Sequence, residues 1–171
     1  PAGCPGDAAP PAAQLAQKNA GDRRQSLRIQ RKLLTIDPND AEAVSSLEQY
    51  YEDEQDKSGL IDVLKMRLVS ARDKAESVEL LKRIARVSEE GARDVDSATE
   101  HYLKILELQP ENRDALDALG RIYESTEQWA EFIDVTRKLI KVTSDRNTKA
   151  LLYFRCGSVM EAKFGREQDA I

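Results

Sequence analysis

The chain has 171 residues, 33% charged and 40% hydrophobic but only 5% aromatic, with a net charge of −5. That apolar share is too high for a disordered chain and suits charged helices with aliphatic cores. The acidic balance, with no basic block, argues against nucleic acid as a partner. No apolar run approaches the roughly 20 residues that a membrane-spanning helix needs.

Residues 1–21 are rich in Pro, Gly and Ala and read as a linker, with a short helix expected at Ala12–Asn19. Ala2-Gly3-Cys4 looks like the last part of a bacterial lipoprotein cleavage box, but Pro1 stands where an apolar residue is expected. A linker that happens to contain Cys is the preferred reading. A cytoplasmic location is expected, with a surface or periplasmic lipoprotein as the alternative if Cys4 is a lipidation site. Ala20-Gly21-Asp22 reads as a helix stop followed by an N-cap.

From Asp22 onward the chain is a run of helices. Asp22–Ile36 forms one, stopped by Asp37-Pro38. Next come Ala41–Asp53, with Val44, Leu47, Tyr50 and Tyr51 on its apolar face, and Ser58–Ala71, with Leu60, Ile61, Leu64 and Leu68 inward. A helix from about Ala75, carrying Val78, Leu81, Ile84, Ala85 and Val87, is expected to end at a Gly91 C-cap. Ser97–Leu108 follows, with Ala98, Tyr102, Ile105 and Leu106 inward, then Arg113–Ser125, a helix to Val142, and Thr148–Lys163 with Gly165 beyond it. About eight helices are expected, in two domains: 1–21 linker and 22–171 repeat domain.

A shift of 72 residues lays the chain on itself without gaps. Pro38 falls on Pro110, Leu47 on Leu119, Tyr51 on Tyr123, Ile61-Asp62-Val63 on Ile133-Asp134-Val135 and Asp73 on Asp145. Matches in phase at packing positions indicate internal duplication. At the joint between the units, where the match is best, Ala98-x₃-Tyr102 with Pro110 resembles the second helix of a tetratricopeptide repeat (TPR). Leu116-x₂-Leu119-Gly120-x₂-Tyr123 resembles the first helix of the next repeat, with Leu116 in the Trp place. The resemblance covers residues 22–171, in a loose variant with two alternating repeat types and extra residues in the turn before Ser97. It implies an all-α fold, an α-solenoid of antiparallel helix pairs in a TPR-like right-handed superhelix. The final pattern stops at Ile171 just after another helix begins, so a piece of a longer array is expected.

No catalytic constellation stands out. His101 is the one histidine, placed by the helical pattern outside the core, and has no Ser-His-Asp or Cys-His partners. Cys156 lies on an apolar stripe with Leu152 and Val159 and reads as a buried small hydrophobe. Cys4 and Cys156 show no metal spacing and no disulfide framework. Gly120 is expected at a close approach between helices, and the tyrosines, Trp129 and Phe132 in the core, with Phe154 to one side of it. No catalytic residue, metal or cofactor is expected, and the chain reads as noncatalytic.

In TPR proteins the first helices of the pairs line a concave face that binds peptides or helices. That resemblance puts Gln49, Lys82, Arg83, Arg86, Arg121, Phe154 and Arg155 along the groove, with an acidic rim of Glu52, Glu89, Glu124 and Glu161. Glu89 with Arg86 and Glu124 with Arg121 have the spacing for ion pairs within one helix. A salt-laced solvated face is the plain account; a basic lane for an acidic partner is the sharper one. Chaperone-binding TPR domains hold a C-terminal carboxylate with Lys and Asn at set places. Lys82 and Arg86 fall near two of these, but Ala118 stands where Asn is wanted. The expected function is a scaffold that binds a protein or peptide partner. The alternatives are an assembly module that self-associates through exposed repeat ends, a co-chaperone-like receptor for acidic C-terminal peptides, and an accessory domain of an enzyme.

Overall fold

The computed structural model describes residues 25–92 and 94–165. Eight helices lie among them, and no strand. They are α1 (25–36), α2 (Ala41–Asp53), α3 (Lys57–Val69), α4 (Lys74–Val87), α5 (Val95–Leu108), α6 (Arg113–Ser125), α7 (Trp129–Val142) and α8 (Arg146–Phe164). The 1–21 linker, its short helix and the residues after Gly165 lie outside the described part.

Local sequence sets where the helices begin. Asp40, Asp73, Asn112 and Asp145 each accept a hydrogen bond from the backbone N–H three residues on, at 2.8, 2.8, 3.1 and 2.7 Å. Such N-caps contribute about 1 kcal/mol each. The four are two pairs at the 72-residue shift, Asp40 with Asn112 and Asp73 with Asp145.

The helix ends repeat in the same way. After α2, Gln55 has φ +56°, and after α6 its counterpart Glu127 has φ +58°. Asp56 N–H donates back to Tyr51 C=O at 2.9 Å and Gln128 N–H to Tyr123 C=O at 2.8 Å, closing the same left-handed C-terminal motif twice. The duplication is therefore present in backbone conformation as well as in side chains. Gly165 closes α8 at φ +61°, as its position past the apolar stripe predicts.

Gly91 does not end its helix. After Val87 the chain continues as a π-helical turn, Ser88–Ala92, before α5. The extra residues of this repeat are absorbed by widening the helix rather than by lengthening the loop.

The chain divides into two compact units, one ending at Asp56 and the other beginning at Lys57. The first buries Leu34, Ala43, Val44, Leu47 and Tyr51, and the Arg31 guanidinium lies 5.3 Å from the Tyr51 ring centre. In the second, consecutive helices pack in order: α3 on α4, α4 on α5, α5 on α6, α6 on α7, α7 on α8. Its core joins Val78, Leu81, Ala85, Tyr102, Ile105, Leu116, Leu119 and Phe132. In this unit α4 to α8 each add an apolar stripe to one core, as expected of an all-α solenoid.

Two expected packing roles change. Gly120 is buried, but a Cβ built on it meets nothing within 4 Å, so no close helix approach requires glycine there. Its counterpart in the first unit is Glu48, so a larger side chain already occupies the equivalent place. His101 is buried, 4% exposed, and its Nδ1 donates to the Ser97 carbonyl at 2.6 Å. The expected solvated histidine is inside because α5 packs on both α4 and α6, and a single apolar stripe marks only part of such a helix.

Candidate functional site

Charged residues of α4 and α6 gather around one cavity. Lys82 and Arg86 project from α4; Arg113, Asp114, Asp117 and Arg121 come from α6. With Tyr102 of α5 and Ala118 they line a cavity of about 320 Å³. Residues four apart on a helix share a face, which brings Lys82 and Arg86 together on α4 and Arg113, Asp117 and Arg121 on α6.

Two of the four cations are already engaged. Lys82 Nζ lies 3.3 Å from Glu79 and 3.2 Å from Asp114. Burial pulls the Lys82 ammonium down, but hydrogen bonds to Asp114 and Glu79 outweigh it and raise its pKa. Arg121 donates from Nη1 to Glu89 at 3.1 Å and has Nε 3.7 Å from Asp117. Arg86 and Arg113 line the same cavity and make no salt bridge among the described residues; hydrogen bonds from Thr148, and then the Arg113 charge from a longer distance, hold the Asp145 carboxyl below its usual range.

Glu89 is held from two sides. The Tyr102 hydroxyl donates to it at 3.1 Å while Arg121 donates to its other oxygen. Burial, and then the Glu89 charge, push the Tyr102 phenol up to about 12. The cavity wall is thus a Tyr102–Glu89–Arg121 network joining α5, the π-helical turn and α6.

The ion pairs differ from those expected within single helices. Glu89 binds Arg121 instead of Arg86, and Glu124 binds Arg155 of α8 instead of Arg121. In each case an acidic residue at the end of one first-type helix takes an arginine from the middle of the next. This explains how carboxylates persist where the helix macrodipole opposes them. Interhelix pairing also frees Arg86.

The expected groove residues do not form one site. Lys82, Arg86 and Arg121 line the cavity described above. Arg83 is half-buried on α4. Gln49 lies exposed on α2 and lines a separate hollow of the first unit with Tyr50 and Asp53; Glu52 is exposed nearby on the same helix. Arg155 pairs with Glu124 and lies 5.6 Å from the Phe132 ring centre. Phe154 is 72% exposed, and Glu161 is exposed near the end of α8. Tyr153, expected in the core, is 61% exposed. Among the cavity residues, pattern reading missed Asp114 and Asp117, and also Arg113. The signal for Arg113 was a basic residue in the first turn of a helix, where the macrodipole disfavours positive charge.

Among the described residues, no group of three His, Cys, Asp or Glu side chains is placed to hold a metal, and no helix is long and apolar enough to cross a membrane. Cys156 is a buried free thiol whose pKa is raised by burial.

No family model matches the chain, and no curated protein matches it in sequence. Solved structures do match. MamA superposes with a TM-score of 0.56 at 23% identity, over 91% of this chain and 86% of that one. The AMB-1 MamA gives 0.58 at 18% identity, over 91% and 81%. YrrB, described as a TPR protein with an unusual peptide-binding site, gives 0.55 at 15% identity, over 90% and 75%. The fold is TPR-like. In this TPR-like fold α4, α6 and α8 are first-type helices, and the Lys82–Arg121 cavity lies between two of them.

Proposed function

We propose that the protein is a noncatalytic interaction scaffold that takes an acidic segment of a protein partner into the α4–α6 cavity. The observation that carries this is the pair Arg86 and Arg113. Both line the cavity and neither makes a salt bridge among the described residues, although the Arg113 charge is felt at longer range by the Asp145 carboxylate. Lys82 and Arg121 are held in place beside them by Asp114 and Glu89. A carboxylate entering there accepts charge-assisted hydrogen bonds from two guanidinium groups, which are roughly twice as strong as neutral ones. The TPR-like fold and the peptide-binding site described for YrrB support a peptide or helix as the occupant. Ala118, in the place of a clamp Asn, supplies no hydrogen bond, which favours arginine-centred capture over a co-chaperone-type clamp.

Anisotropy titration of a labelled peptide of alternating Glu and Ala tests the proposal, with the Gln/Ala peptide as its control. The acidic peptide binds and the control does not. Arg86→Ala and Arg113→Ala each weaken binding about tenfold to a hundredfold, the worth of one hydrogen bond to a charged group. Equal binding of the two peptides, or binding indifferent to both substitutions, rules the proposal out.

A further inference from the structure

The 72-residue shift compares each helix with its counterpart, and two faces stand out because one copy is covered and the other is not. On α8, Leu152 and Cys156 are buried like their counterparts Leu80 and Ile84 on α4. The neighbouring face differs. Leu81 of α4 is 3% exposed under α5, while its counterpart Tyr153 is 61% exposed. Val78 is buried and its counterpart Ala150 exposed. Beside this face Ala130, Ile133, Arg137, Met160 and Phe164 line a mostly apolar hollow of about 170 Å³. Three of these, Ile133, Arg137 and Met160, are the counterparts of Ile61, Lys65 and Ser88. Ile61 and Lys65 belong to α3, and Ser88 belongs to the π-helical turn, on which α5 also packs. So α8 presents the surface that α4 gives to α5, without a helix on it among the described residues.

The complementary face lies on α1, the counterpart of α5. Ile105 of α5 is fully buried, whereas its counterpart Leu33 is 43% exposed. His101 is buried and its counterpart Ile29 is 55% exposed; Ile36, counterpart of half-buried Leu108, is 82% exposed. Ile29, Leu33 and Ile36 form one stripe at helical spacing. The change from His101 to Ile29 suits an apolar hollow.

We infer that α1 of a second copy of this chain seats on the α8 face, repeating between molecules the α4–α5 packing made within one. The contact joins two different surfaces, so each copy keeps one free face and the association is open-ended. Apolar contact drives it. Helix α1 carries Arg28, Arg31 and Lys32 with no acidic residue, and α8 carries four basic residues against Glu161. The like charges oppose docking at low salt, and screening relieves them. Salt therefore strengthens this association, while it weakens capture of an acidic peptide, so the two proposals fail independently.

Sedimentation velocity of the 171-residue chain across concentration tests it, with Leu33→Glu and Tyr153→Glu as variants. Both side chains are exposed, and circular dichroism checks that the fold is kept. The expected result is mass that grows with concentration and with salt for the parent chain, and monomers for either variant alone. An equimolar mixture of the two variants gives a heterodimer, because each keeps the face the other lacks. A parent chain that stays monomeric at every concentration overturns the inference and leaves the α8 face to a different helix. Association that survives in either variant alone, or a mixture that stays monomeric, overturns it as well.

Discussion

Arg121 in the middle of α6 donates to Glu89 beyond the end of α4 across 3.1 Å, and the same carboxylate accepts from the Tyr102 hydroxyl. This one contact ties three consecutive elements and decides which arginines are left for a partner. Arg121→Glu sets a new carboxylate against Glu89 and Asp117. The pair is partly exposed, so the cost is about 1 kcal/mol or less. A modest fall in the urea midpoint is expected, largely recovered by the double reversal Glu89→Arg with Arg121→Glu. A double variant no better than the single one shows that the pair does not couple.

Tyr102 gives the protein an alkaline limit. Its phenol is pushed up to about 12, against an ordinary value near 10. A group with a raised folded-state pKa contributes stability that is full below the unfolded value and is lost as pH rises through the folded one. Stability therefore falls between about pH 10 and 12. Absorbance titration at 295 nm should show one tyrosine ionising about two units late, and Tyr102→Phe should remove that step. If every tyrosine ionises near 10, Tyr102 is not sealed against Glu89 as described.

Gly120→Ala should stabilise. Alanine exceeds glycine by about 1 kcal/mol in a helix interior, and the added methyl meets no atom within 4 Å. A higher melting temperature is expected; a lower one means that the helices around α6 approach more closely than described.

Gln55→Gly and Glu127→Gly test the duplicated helix ends. Both residues hold a left-handed backbone, at φ +56° and +58°, which costs a side-chain-bearing residue about 1 kcal/mol. Glycine removes that cost and adds unfolded-state entropy, so each change should be neutral to about 1 kcal/mol stabilising. The backbone motif is the same at both sites, so the two effects should be similar in size. A clear loss at either site contradicts the left-handed assignment.

The helices, their caps and the repeat were legible because they depend on residues close in sequence. Asp73 and Asp145, which the 72-residue shift aligns, both cap helices, and Arg113–Ser125 forms the helix its pattern predicts. What was not legible depends on neighbours from other pairs. His101 is inside because α5 is covered on more than one side, and no single stripe shows that. Val63 and Leu80 are buried for the same reason, although they lie beside the expected faces. The rim glutamates were assigned to arginines three residues away, but their partners lie 32 and 31 residues on, at Arg121 and Arg155. Spacing within one helix cannot choose between such partners. That Arg86 and Arg113 are the cavity cations without a salt bridge followed only once the other pairs were fixed.

A charge-swap titration tests the central claim most directly. The doubly reversed protein, Arg86→Glu with Arg113→Glu, is titrated with the Glu/Ala peptide and with its Lys/Ala counterpart, beside the parent chain. The account predicts that the parent binds only the acidic peptide and that the reversed protein loses it and gains the basic one. Unchanged preference in the reversed protein, or no charge preference in either, would contradict an acidic partner seated between α4 and α6.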